Sequence, residues 1–226
     1  MPKNATEMTP QAIIAPSILS MDYSRMQQQT KELNESNAKW LHFDVMDGHF
    51  VPALTFGPQI LQGFDKTSDL VMDVHLMVDD PVRYFETFKN AGADQITFHT
   101  EALDNDLSRI EAALKTAHDL GLKTGITVKP NTAIEPFAPV LDQCDLVLIM
   151  SVEPGKGGQA FMEDQLEKVR FLRNWRDKNN LNYLIEIDGG INQTTARLAK
   201  EAGVDALVAG SYIFKGDIKG AVDSLL

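Results

Sequence analysis

The chain has 226 residues, of which 43% are apolar and 23% charged, and a formal net charge of −11. That is apolar enough for a packed core, and the length fits one domain over residues 1–226. The acidic balance argues against nucleic-acid and anionic-membrane partners, but not against a phosphorylated small molecule held by backbone N–H groups.

No run approaches the ~18 apolar residues of a membrane span. The first eleven residues are polar and lack the apolar stretch of a secretory signal. Cys144 is the only cysteine, so no intrachain disulfide forms, and its neighbours Leu146, Val147 and Leu148 fit a buried, inert thiol. The expected location is the cytoplasm.

Short apolar runs recur along the chain at Ala12–Ser17, Trp40–Met46, Val71–Met77, Gln95–His99, Lys123–Val128, Leu146–Met150, Tyr183–Asp188 and Ala206–Ser211. They read as strands. Helical periodicity fills the gaps at Ser24–Asn37, Pro81–Ala91, Leu107–Leu120, Met162–Asn179 and Thr194–Ala202, with shorter segments after the second and fifth strands. Gly92, Gly121 and Gly203 each sit just past a helical stretch. Eight βα units predict a (β/α)₈ TIM barrel. An open dinucleotide-binding sheet would need Gly-x-Gly-x-x-Gly after the first strand, where this chain has Ser17-Ile18-Leu19-Ser20.

Active sites of such barrels form at the C-terminal strand ends. There the chain carries Ser17, then His42, Asp44 and Met46, then His75 and Met77, then His99 and Glu101, then Met150 and Ser151, then Glu186 and Asp188, then Gly210 and Ser211. Strand side chains alternate, so His42 and Asp44 share a face. His42, Asp44, His75 and Asp188 are a natural ligand set for one divalent metal such as Zn, Fe, Mn or Co. The competing reading is hydrogen-bonded rim histidines. His118 reads as a mid-helix surface residue. Met46, Met77 and Met150 read as the wall of an apolar, polarisable pocket, against ordinary core filling.

Three glycine-bearing loops, Gly155-Lys156-Gly157-Gly158, Gly189-Gly190 and Gly210-Ser211, follow the last three strands. They read as a phosphate site, against simple tight turns. Two carboxylates facing one another across a substrate suit removal of a proton from one face of a carbon beside a carbonyl and delivery to the other. The metal would stabilise the enediolate.

Several motifs then carry a resemblance: Ala15-Pro16-Ser17-Ile18-Leu19-Ser20, His42-Phe43-Asp44-Val45-Met46-Asp47-Gly48-His49-Phe50-Val51-Pro52, Asp73-Val74-His75-Leu76-Met77-Val78, Val152-Glu153-Pro154-Gly155 to Gln159, and Glu186-Ile187-Asp188-Gly189-Gly190. In order and over nearly the whole chain, they resemble the ribulose-phosphate 3-epimerase family. The resemblance implies a (β/α)₈ barrel that interconverts D-ribulose 5-phosphate and D-xylulose 5-phosphate in the pentose phosphate pathway. It implies His42, Asp44, His75 and Asp188 as metal ligands, with Asp44 as proton acceptor and Asp188 as donor. It implies Ser17 and His75 as substrate contacts, and Gly155 to Gly158, Gly189, Gly190, Gly210 and Ser211 at the phosphate end. Met46, Met77 and Met150 match the methionines around the enediolate, and a homo-oligomer is implied as well.

Two residues depart from the family pattern: Lys156 where Phe is usual, and Ala53 where Asn is common. Lys156 reads equally as a charge over the substrate or a solvated loop residue. The alternative activity is 3-epimerisation of D-allulose 6-phosphate, and a more distant one a non-catalytic sugar-phosphate-binding barrel. A decarboxylase of the orotidine-monophosphate type is set aside because no strand end carries Asp-x-Lys-x-x-Asp.

Overall fold

The computed structural model describes residues 11–226. The reading of the chain's start as no secretory signal falls almost wholly outside them. Eight strands form one sheet: β1 (Ile13–Pro16), β2 (Trp40–Met46), β3 (Val71–Met77), β4 (Gln95–His99), β5 (Lys123–Val128), β6 (Leu146–Met150), β7 (Leu184–Asp188) and β8 (Ala206–Ala209). All pairings are parallel, running β1-β8-β7-β6-β5-β4-β3-β2. Where β1 meets β2 the ring is joined by a parallel bridge from Ser17 to His42 and a backbone bond from Lys39 N–H to the Ile14 carbonyl at 3.1 Å. Around it lie α1 (Met26–Asn34), α2 (Pro58–Asp65), α3 (Phe85–Asn90), α4 (Leu107–Asp119), α5 (Leu166–Asn179), α6 (Gln193–Ala202), α7 (Ser211–Phe214) and α8 (Ile218–Asp223). This is the expected (β/α)₈ barrel. No helix of the described residues is long and apolar enough to cross a membrane.

Alternation along each strand sorts the side chains. On β2, Leu41, Phe43 and Val45 face the helices and join the outer core, where Phe43 meets Phe64 of α2 edge-on at 5.4 Å between ring centres. Trp40 points inward and closes one end of the barrel with Ala15, Leu146, Ala206 and Val208. His42 and Asp44 point inward above that apolar plug. Strands covered on both faces need no polar residues for solvation, so buried His42, Asp44, Asp73, His75, Gln95, His99 and Glu186 require one another or a ligand.

Several boundaries move from the sequence expectation. The strand read as Ala206–Ser211 ends at Ala209, because Gly210 turns the chain (φ −103°, ψ −90°) and Ser211 opens α7. The helical stretches beginning near residues 24, 81 and 162 each start with one 3₁₀ turn, and the first ends at Asn34 rather than Asn37. After β5 the chain forms a 3₁₀ segment over Glu135–Gln143, inside which Pro139 removes a backbone donor that an α-helix would use, while Pro136 stands in the first turn, where no donor is needed. His118 lies in the last turn of α4, exposed, with Nε2 2.9 Å from Asp145 Oδ2. Cys144 is buried just ahead of β6, and burial pushes its thiol pKa up.

Candidate active site

The strand register brings the polar side chains together. Parallel pairing aligns His42 with Asp73 and Asp44 with His75 on β2 and β3. Asp188 reaches them as the last residue of β7, on the far side of β1 and β8. His42, Asp44, His75 and Asp188 each offer a ligand atom, all within 4.8 Å of one another. His42 Nε2 and His75 Nδ1 lie 3.5 and 3.4 Å from Asp44 Oδ1, and neither nitrogen has a hydrogen-bond partner among the described residues. Unpartnered buried nitrogens are costly unless they meet a ligand. Two imidazole lone pairs and two carboxylates converging this closely fit a divalent ion of the Zn, Fe, Mn or Co kind.

A surrounding shell sets the ligands' orientation. His42 Nδ1 lies 2.5 Å from Asp73 Oδ2, and Gln95 Nε2 donates to Asp73 Oδ1 at 2.9 Å. A carboxylate behind a histidine leaves the other ring nitrogen as the metal-facing one. Ser17, at the end of β1, donates its hydroxyl to Asp44 Oδ2 at 2.5 Å. His75 Nε2 lies 3.0 Å from His99 Nε2, and His99 Nδ1 lies 3.3 Å from Glu101 Oε2. Asp73 was missed in the sequence reading, although it precedes His75 by two residues and therefore shares its face. Glu186 is fully buried beside His42 rather than at the mouth.

The two central carboxyls differ in acidity. Burial alone would raise the Asp44 pKa, but His42 and His75 outweigh it and hold this carboxyl well below the usual range. Burial and the negative charge of Asp44 push Asp188 up to about 7. Burial opposes a charge on His42, yet Asp73 and Asp44 hold its pKa well above the ordinary imidazole value. Burial lowers His99 to about 4. Despite burial, the His99 hydrogen bond holds Glu101 at about 2. Burial, then Asp73, raise the Glu186 pKa well above the ordinary carboxylate value.

Above the ligands opens a cleft. Met46, Met77 and Met150, the last residues of β2, β3 and β6, are buried at its floor, with Asp44 and Asp188 beside them. Gly155, Lys156, Gly157, Gly158, Gly189, Gly190, Gly210, Ser211 and Ser17 line the same cleft. Two of these glycines leave little room for a side chain. Gly190 has φ +64°, and a Cβ there would come within 2.5 Å of the Phe161 nitrogen. A Cβ at Gly210 would come within 2.5 Å of Ser20 Oγ. Lys156 is exposed at the rim, and Ala53 packs against the group formed by Met46, Val51 and Met77.

Comparison with known proteins agrees with this geometry. Residues 13–214 match the profile of the Ribulose-phosphate 3 epimerase family. The chain is 47% identical over 217 residues to the ribulose-phosphate 3-epimerase of Mycobacterium leprae, covering 94% of this chain and 93% of that protein. It is 40% identical over 214 residues to that of Bacillus subtilis, covering 94% and 97%. Among solved structures, 3-hexulose-6-phosphate synthase superposes with a TM-score of 0.66 at 18% identity, covering 95% of each chain, a likeness of fold alone. By its sequence, this chain belongs to the ribulose-phosphate 3-epimerase family.

Proposed function

We propose that the protein interconverts D-ribulose 5-phosphate and D-xylulose 5-phosphate by inverting C3 through an enediolate. One observation carries the mechanism: Asp44 and Asp188 offer oxygens within 4.8 Å of one another, with pKa values driven in opposite directions. The ionised Asp44 takes the C3 proton as the C–H electron pair moves toward the C2 carbonyl. The protonated Asp188 then delivers its proton to the opposite face of C3, and the electrons return to form the new C–H bond. The two carboxyls end with exchanged protonation states and reverse roles in the return direction.

Ser17 holds Asp44 in place through its hydroxyl. A divalent ion held by His42, Asp44, His75 and Asp188 would supply electrostatic stabilisation of the enediolate oxygens. Met46, Met77 and Met150 keep water from the reacting carbon, because thioethers neither protonate nor hydrate it. The backbone around Gly155 to Gly158, Gly189, Gly190, Gly210 and Ser211 would take the phosphate, with Lys156 at the rim. One barrel domain, a cytoplasmic location and an assembly of several copies belong to the same reading.

Nothing in the cleft favours the hexulose phosphate over the pentulose, and the curated relatives carry the pentulose activity in their names. Turnover of D-ribulose 5-phosphate and of D-allulose 6-phosphate, on chelated protein with each metal added back, tests the reading. The expected result is metal-restored activity with the pentulose. Full turnover after chelation, or a preference for the hexulose, overturns it.

A further inference from the structure

The two histidines of the cluster are oriented by different means. His42 meets a carboxylate directly, through Nδ1. His75 meets another imidazole, with its Nε2 3.0 Å from Nε2 of His99. A contact between two ring nitrogens needs one N–H and one lone pair, so its direction has to be decided elsewhere.

The far end of the chain decides it. Glu101 Oε1 accepts from the Lys129 backbone N–H at 2.7 Å, and its Oε2 faces His99 Nδ1 at 3.3 Å. A carboxylate only accepts, so the hydrogen of His99 belongs on Nδ1 and its lone pair on Nε2. His75 therefore donates from Nε2 and keeps its lone pair on Nδ1. That nitrogen is buried, lacks a partner among the described residues and lies 3.4 Å from Asp44 Oδ1. The His99 ring is fully buried and packs on Phe50 with ring centres 4.8 Å apart, while Lys129 Nζ sits 4.1 Å from the Phe50 ring centre.

We propose that His99 and Glu101 are positioning residues, which hold His75 in the tautomer whose Nδ1 is free to ligate the metal. The proposal rests on the metal reading above and adds to it the second pair of groups behind the ligands, reaching from β4 to the start of the loop after β5.

The sharpest variant is Glu101→Gln. Lys129 N–H needs an oxygen at the Oε1 position, so the carboxamide turns its NH₂ toward His99 Nδ1. The chain then reverses and places the His75 hydrogen on the ligating nitrogen. Zn²⁺ affinity, measured by competition with a chromogenic chelator, should fall roughly 10- to 100-fold. His99→Leu, which removes the acceptor, should fall as far. His99→Gln, whose amide oxygen reaches the place of Nε2, should stay near wild type.

A second measurement needs no variant. Long-range ¹⁵N–¹H correlation of chelated wild-type protein should show the His75 hydrogen on Nε2. Finding it on Nδ1, or finding Glu101→Gln and His99→Leu with wild-type Zn²⁺ affinity, overturns the proposal. Wild-type protein that binds no Zn²⁺ overturns the metal reading instead, and the nitrogen spectrum still decides the tautomer.

Discussion

Replacing Asp188 by Asn keeps the size of the side chain and removes its capacity to give or take a proton. Asp44 and Asp188 offer oxygens within 4.8 Å of one another. Two unit charges at that separation repel by about 3.5 kcal/mol at an effective dielectric of about 20, which amounts to roughly 2.5 pKa units. Burial is the larger cause, and with this repulsion it carries the carboxyl from 3.8 to about 7 against the opposing charge of His42. Asp188 is thus held as an acid where an ordinary carboxyl would be ionised, and Asn has no replacement for that proton. Losing a positioned general acid costs about 10²- to 10⁴-fold in rate, or about 3–5 kcal/mol in barrier. The assay is proton NMR of D-ribulose 5-phosphate in D₂O at saturating metal, with xylulose 5-phosphate detected separately. Asp188→Asn should still exchange the C3 hydrogen through Asp44, while formation of the inverted sugar falls by that factor. Inversion at the wild-type rate would refute the two-carboxylate mechanism. Loss of exchange together with inversion, in folded metal-bound protein, would refute the division of roles.

Metal binding should release protons and tighten with rising pH. His42 has a raised pKa, so it holds a proton near pH 6.5 that a bound ion must displace. Calorimetry of Zn²⁺ binding in two buffers of different ionisation heat measures the release, and zero net release contradicts the assigned ligand set. At the phosphate end, Gly210→Ala would set a methyl group 2.5 Å from Ser20 Oγ. The expected effect is a KM raised about tenfold with kcat little changed, eased by adding Ser20→Gly. An unchanged KM would mean that this edge of the cleft does not touch the substrate.

Much of this protein was legible one strand at a time. Trp40–Met46 shows its two faces in sequence because alternation is a property of the backbone itself. That alternation sends Leu41, Phe43 and Val45 to the helices and His42, Asp44 and Met46 inward. The same rule makes β3 present Asp73, His75 and Met77 together, yet the role of Asp73 showed only once the β2–β3 register set it beside His42. The end of β8 was misread because Ala209-Gly210-Ser211 has no local pattern that separates a strand from a helix start.

Sequence alone determined which residue types stand at the strand ends and that eight βα units alternate. Ring closure decided the rest. The bridge from Ser17 to His42 brings β7 round to within ligand distance of β2 and β3, although nearly 150 residues separate Asp44 from Asp188 along the chain. How far round the mouth a side chain reaches depends on the tilt and stagger of all eight strands at once, which no short stretch of sequence encodes. The same closure buries His75 against His99 and leaves its other nitrogen, with His42 Nε2, facing the Asp44 oxygen.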